Sequence, residues 1–178
     1  MLIFRLRSPL LLLLPMLMLP GCGFEAMHAK RSNSPNASAA ALSRIAVEPI
    51  PGNSGQLLRA ALEDRLSPVP VAASPLYRLA VKLTVRESPI GVAPDGSVSR
   101  YNVHLTAQYA LNDAKDGKPL YKGTARRVTS YNSLTNAYFS SYVSKDDATR
   151  DGIAELAEDC RLQLSAYLAG NALAQAVP

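Results

Sequence analysis

Between Tyr77 and Tyr131 the chain alternates apolar and polar residues in three successive runs. Tyr77, Leu79, Val81, Leu83 and Val85 face one way, with Arg78, Lys82, Thr84 and Arg86 opposite. Tyr101, Val103, Leu105, Ala107, Tyr109 and Leu111 alternate with Asn102, His104, Thr106 and Gln108. Leu120 to Tyr131 forms the third run, with Lys122, Thr124 and Arg126 on one side and Arg127 on the other if alternation holds. A period of two sends successive side chains to opposite faces of a strand. Three such runs imply an antiparallel sheet with one buried and one wetted face. A turn around Pro94-Asp95-Gly96 joins the first pair, and Lys115-Asp116-Gly117-Lys118 reads as the second hairpin turn.

The wetted face commits the other face to a helical layer, and two helices are legible. Leu57, Leu58, Ala61, Leu62 and Leu66 make one apolar stripe from about Gly55 to Leu66, with Asn53 or Ser54 as the cap and Pro68 and Pro70 beyond the end. Ile153, Leu156, Ala157, Cys160, Leu164, Tyr167 and Leu168 recur at helical spacing from about Lys145 to Ala169. Ser144 and Asp147 resemble a capping box, and Gly170-Asn171 reads as the stop. Ile45, Val47 and Pro49 alternate with Ala46 and Glu48 as a short first strand. The expected fold is α+β: a four-stranded, mostly antiparallel mixed sheet with both helices on one face, in the order β-α-β-β-β-α. The first strand is free to pair in parallel with a later one across the first helix.

Upstream of this domain the chain opens as a secretory signal. Arg5 and Arg7 precede the apolar run Leu10 to Leu19, which stops at Pro20-Gly21-Cys22. A spanning helix needs roughly 20 apolar residues, and this run is too short and is broken by Pro15 and Pro20. Leu19-Pro20-Gly21-Cys22 resembles a bacterial lipobox, so Cys22 is the expected lipidated first residue of the mature protein. Acidic residues at the second mature position resemble an inner-membrane retention signal. Gly23 is not one, which favours the outer membrane, facing the periplasm. The resulting division is a signal over residues 1–21, a lipidated tether over 22–43, one domain over 44–170 and a short tail over 171–178.

Charge and cysteine content narrow the function. Removing Arg5 and Arg7 from the 19 basic residues leaves 17 against 14 acidic ones, a mature charge of +3. That gives no case for nucleic acid and permits an anionic partner. With Cys22 lipidated, Cys160 is the single remaining cysteine, and its place on the apolar helix stripe makes it a buried residue rather than a reactive thiol.

Catalytic signatures are missing from the sequence. Nucleophilic catalysis needs a nucleophile, a base and an orienting group, and His104 is the one histidine outside the tether, placed mid-strand on the polar face. There is no His/Cys metal spacing, no phosphate-binding glycine loop and no nucleophile elbow. Asp146-Asp147 marks a helix start, where acidic residues favour the dipole. The chain reads as a non-enzyme without cofactor or metal. A small periplasmic enzyme would depend on His104.

The surface is what remains. The wetted face carries Lys82, Arg86, Lys122 and Arg126, either an ordinary solvated face or a docking surface for a protein or an anionic head group. Ser130 to Tyr142 gathers Tyr131, Tyr138, Phe139 and Tyr142 among small polar residues. This is the composition of adaptable contact surfaces, or of a loop folded onto a helix cap.

Gly21-Cys22-Gly23-Phe24, the helix Gly55-Gln-Leu-Leu-Arg-Ala-Ala-Leu-Glu-Asp-Arg-Leu66, a Tyr-x-Leu-x-Val strand, Arg100-Tyr-Asn-Val103, a Gly-x-x-x-Arg strand running into Ser130-Tyr-Asn132, and Lys145-Asp-Asp-Ala148 follow one another over residues 21 to 170. In order and pattern this resembles the lipopolysaccharide-assembly lipoprotein family LptE. The resemblance implies a two-helix, four-strand sandwich that plugs a large outer-membrane β-barrel (LptD-like), helps it assemble, and helps deliver lipopolysaccharide to the outer leaflet without covalent chemistry. It also implies basic lipopolysaccharide contacts in the loop after the second strand and just before the final helix. Lys145 matches the second place. The first holds Pro94-Asp95-Gly96, with the next basic residue at Arg100. Lys145 and Arg100 are therefore the candidate lipopolysaccharide contacts, and Tyr131, Tyr138, Phe139, Lys122 and Arg126 the candidate barrel contacts. The alternative is an auxiliary lipoprotein of a periplasmic ABC-type lipid transport system, which has no barrel partner.

Overall fold

The computed structural model of the 178-residue chain describes residues 37–67, 74–92, 94, 96, 98–134 and 137–175. The signal segment, Cys22, the tether up to residue 36 and Asp95 lie outside the described residues. The elements are α1 (Ala37–Leu42), β1 (Ile45–Val47), α2 (Asn53–Leu66), β2 (Tyr77–Val92), β3 (Val98–Asp113), β4 (Pro119–Asn132) and α3 (Tyr138–Gln175). The four strands lie in sequence order, with β1 parallel to β2 and the remaining pairs antiparallel.

Register fixes the faces. Leu79 pairs with Leu111, Val81 with Tyr109, Leu83 with Ala107 and Val85 with Leu105, and on the far side Leu105 pairs with Arg127, Ala107 with Ala125 and Tyr109 with Gly123. Odd-numbered positions of β2–β4 thus share the face covered by α2 and α3. Leu79, Leu105 and Leu111 are fully buried there against Leu58, Leu62, Leu156, Cys160 and Leu164 of the helices. Burying one such leucine is worth about 1.5–3 kcal/mol, so the two apolar stripes and the odd strand face together hold the sandwich.

Two close approaches set how tightly the layers meet. A Cβ at Gly152 would stand 2.5 Å from Leu105 Cδ1, so α3 descends onto the sheet where it has no side chain. The ring of Tyr109 fills the space over Gly123, and its hydroxyl donates to Gln163 Oε1 at 2.7 Å. At the far end Tyr167 stacks on Tyr121 with centroids 4.7 Å apart and donates to the Leu120 carbonyl.

The helix boundaries depart from the sequence expectation. α3 spans 38 residues, Tyr138–Gln175, rather than Lys145 to Ala169. Once a helix is nucleated, each added residue gains a hydrogen bond without a new nucleation cost, so Tyr138 to Ser144 join it, and Ser144 is an interior residue rather than a cap. Gly170 costs about 1 kcal/mol against alanine inside a helix, too little to stop one that continues through Ala172-Leu-Ala174. For α2 neither Asn53 nor Ser54 caps by side chain. The helix starts on Gly52 at φ 83, whose carbonyl accepts from Gln56 N at 3.0 Å. Within the stretch expected as tether, Ala37–Leu42 forms α1, which packs on α3 and buries Leu42. Alanine needs no apolar period to favour helix. None of the helices is long and apolar enough, among the described residues, to cross a membrane.

Candidate functional site

The tip of the β2–β3 hairpin, the end of β4 and the first turns of α3 meet at one end of the sheet. Here the odd face of β2 carries Glu87 where the alternation leads to an apolar residue. Glu87 pairs with Val103, and its neighbours on the same face, Tyr101 and Tyr131, pair with each other. The two tyrosine rings stack at 5.4 Å and 12°. The stack holds the Tyr131 hydroxyl where it donates to Glu87 Oε2 at 2.8 Å. From α3, Lys145 Nζ reaches Glu87 Oε1 at 2.6 Å. One carboxylate therefore receives a phenol from β4 and an ammonium from α3.

The electrostatics follow from that convergence. Partial burial pushes the Glu87 carboxyl up, but the hydrogen bonds from Lys145 and Tyr131, with the lysine charge, outweigh it and hold the group below its ordinary value. Burial and the bond to Glu87 push the Tyr131 phenol up to about 12. At neutral pH the trio is a carboxylate, an ammonium and a neutral phenol.

The β4–α3 connection folds onto the helix start. Leu134 N donates to Ser141 Oγ at 2.9 Å, and Ser140 and Ser141 hydroxyls both donate to the Ala137 carbonyl. Serine hydroxyls tie the turn down while the aromatic residues between them stay in solvent. Tyr138 is 82% exposed, Phe139 80% and Tyr142 68%. Tyr138, Tyr142 and Lys145 follow one another at helical spacings of four and three, which places them on one stripe of α3. Ile90 and Val92 at the hairpin tip are exposed as well.

The residues singled out from sequence separate into four groups. Lys145 and Tyr131 converge on Glu87 on the helical side. Arg100 lies on the opposite face of the same end, where Nη2 donates to Ser130 Oγ at 2.9 Å, so the sheet stands between the two candidate lipid contacts. Tyr138 and Phe139 extend from α3, while Lys122 and Arg126 lie on the open face of β4, in line with Ala110 and Thr106. Arg127 does turn to the helical side, where Nη2 meets Asp159 Oδ1 at 2.6 Å. Cys22 lies outside the described residues.

Glu87 was not singled out from sequence, although a carboxylate at the place of the next apolar residue in Tyr77-Leu79-Val81-Leu83-Val85 was a readable signal. Ser88 was missed too. Its Oγ and His104 Nε2 share a hydrogen bond of 2.9 Å. Among the described residues no carboxylate bonds the other ring nitrogen of His104, so no third member of a hydrolytic triad is seen among them. Among the described residues no three His, Cys, Asp or Glu side chains gather as metal ligands. Cys160 is fully buried, and burial pushes its thiol up to about 12.

Comparison with known proteins places this geometry. A family model described as LptE, lipopolysaccharide-assembly, matches residues 42–164. Among solved structures, a putative lipoprotein from Caulobacter crescentus CB15 is 26% identical, with a TM-score of 0.62 over 75% of this chain and 96% of that one. A minor lipoprotein from Acinetobacter baumannii is 20% identical, with a TM-score of 0.55 over 68% and 90%. An uncharacterized lipoprotein B from Nitrosomonas europaea is 14% identical, with a TM-score of 0.54 over 70% and 84%. The last two show the shared fold. No curated protein gives a significant match. The family match runs from the last residue of α1 into the final helix and takes in every strand, α2 and the Glu87–Lys145–Tyr131 convergence, well over half of the chain, and the chain belongs to the LptE family of lipopolysaccharide assembly.

Proposed function

We propose that this protein is an outer-membrane lipoprotein, anchored through lipid on Cys22, that sits in a large β-barrel as a plug, helps it assemble, and binds lipopolysaccharide on its way to the outer leaflet. No catalysis and no cofactor other than the covalent lipid enter this reading. The observation that carries it is the stripe Tyr138-Tyr142-Lys145 at the start of α3, where two exposed aromatic rings stand on the helix face that also bears a lysine. A lipid A phosphate suits an ammonium as a charge-assisted partner, and the exposed Tyr142 ring suits the sugar–acyl boundary beside it. Arg100, on the other face of the same end, would meet a second anionic group of a ligand that straddles the tip. Tyr138 and Phe139, with Lys122 and Arg126, would bear on the barrel. Tyr131 would act from within by fixing Glu87.

The test is purification of the full-length lipidated protein from solubilised outer membranes, followed by lipopolysaccharide binding to the wild type and to Lys145→Glu. The expected result is a stoichiometric β-barrel partner and binding weakened at least about tenfold by the charge reversal, with an unchanged far-UV spectrum. Co-purification of an ABC transporter in place of a barrel, with binding indifferent to Lys145→Glu, would sink the proposal.

A further inference from the structure

On its open face, β2–β4 carries cations and no carboxylate, with Glu48 alongside just past the end of β1. Arg78, Lys82 and Arg86 on β2, Arg100 on β3, and Lys122 and Arg126 on β4 all occupy even-numbered positions, and those positions of the three strands contain no aspartate or glutamate. Among the described residues Arg100 bonds only the Ser130 hydroxyl. The other five make no ion pair and no side-chain hydrogen bond among the described residues. The helical layer is the reverse. Arg127, one residue from Arg126, meets Asp159 at 2.6 Å and Glu155 at 3.8 Å, and Arg59, Arg150 and Arg161 are each matched by a carboxylate on their own helix. Charge is paired within the helical layer, whereas the cations of β2–β4 on the open face stand without ion pairs among the described residues.

We propose that this face docks against an acidic protein wall, the inner surface of the barrel partner. The inference rests on the plug reading and adds which side of the plug bears on the wall and what chemistry the wall presents. Two observations favour a protein over a lipid surface. The residues beside the cations are mostly hydrogen-bonding, with Gln108 and Thr124 in the row of Lys82, Thr84 and Thr106 in that of Arg126 and His104 in that of Arg86. Protein interfaces pair such groups directly. The face also holds a shallow depression of about 480 Å³ floored by Ala80 and Ala110, with Lys82, Gln108 and Lys122 around it. A carboxylate side chain projecting from a wall strand would enter it between two ammonium groups. A pleated surface with cations staggered across three strands is complementary to a rigid wall of strands, and such complementarity sets orientation as well as partner.

The experiment places a photo-crosslinking amino acid at Thr106, in the middle of the face, in the full-length lipidated protein. In parallel, barrel recovery is measured for Lys82→Glu/Lys122→Glu/Arg126→Glu, with the corresponding triple glutamine variant in case the reversal disturbs folding. Expected are a crosslink to a barrel segment bearing aspartate or glutamate and a fall in recovered barrel of about tenfold or more, with the glutamine variant intermediate. A complex that forms normally but crosslinks to an acid-free segment, or withstands both triple variants, overturns the inference and leaves the plug reading standing. If the wild type recovers no barrel, both fail together. If the variants lose binding to vesicles containing phosphatidylglycerol while barrel recovery is unchanged, the face serves lipid and the inference is overturned.

Discussion

Lys145 Nζ lies 2.6 Å from Glu87 Oε1, so the lysine proposed above as a lipid contact is held by an internal anion. On that proposal a ligand phosphate would compete with the carboxylate. Replacing Glu87 with Gln removes the competing charge and keeps the side-chain size, and lipopolysaccharide should then bind several-fold more tightly. Titration of the lipid against Glu87→Gln, with Lys145→Gln as the weakened control, measures this. Weaker binding by Glu87→Gln would show that the carboxylate positions the lysine instead of occupying it.

The same contact has a pH dependence of defined sign. The folded Glu87 carboxyl titrates below its ordinary value of 4.5. A depressed carboxyl contributes stability that is fully present above the unfolded pKa and is lost as pH falls through the folded one. The melting temperature of the wild type should therefore exceed that of Glu87→Gln at pH 7, and the gap should close as pH drops below 4.5. The lysine is 45% and the carboxylate 32% exposed, and such bridges are worth about 0.2–1 kcal/mol, so the gap should be a few degrees or less. A gap that persists unchanged at acid pH would assign the effect to packing.

At the alkaline end the sign reverses. The Tyr131 phenol is pushed up to about 12 by burial and by its bond to Glu87. A group that keeps its proton longer in the folded state stabilises the fold below the unfolded pKa and loses that contribution as pH rises towards 12. Ultraviolet titration should show late-ionising tyrosinates, Tyr131 together with Tyr109, whose phenol burial pushes up as well. Tyr131→Phe should remove one of them at a cost of about 0.5–1.5 kcal/mol for the lost hydrogen bond.

How far the sequence carried depends on which physical signal each part leaves. Strict alternation in β3 predicted the buried set Val103 to Leu111, and the stripe through Ile153, Leu156 and Cys160 predicted the helical side. Such patterns record a face buried along a whole element. Helix ends left no comparable trace. Tyr138 to Ser144 has neither apolar periodicity nor high propensity, and it is helical because Leu134 and Ala137 are both hydrogen-bonded to Ser141 and Ala137 leads straight into a nucleated helix. The candidate site was legible as residues and not as an arrangement. Nothing in the spacing of Lys145 and Glu87 along the chain says that they touch, since register and the overlap of α3 with β2 decide it. The same register sends Arg100 to the other face of the sheet.

Layer spacing at the sandwich centre yields the last prediction. Gly123 on β4 lies directly under the Tyr109 ring, and a Cβ there would collide with Tyr109 Cζ and its hydroxyl oxygen. Tyr109 is 4% exposed and fixed to Gln163 of α3, so the ring has no free volume into which to retreat. Gly123→Val must displace the ring, break the bond to Gln163 and disturb the packing on Tyr121, whose own ring stacks on Tyr167. Overpacking of this kind costs about 1–3 kcal/mol, and the lost hydrogen bond adds to it. Chemical denaturation should show a lower midpoint with an unchanged m-value. The double variant Gly123→Val/Tyr109→Leu should recover part of the loss because the smaller side chain restores room. If Gly123→Val melts like the wild type, the close approach of Tyr109 to β4 is not what sets the spacing of the two layers.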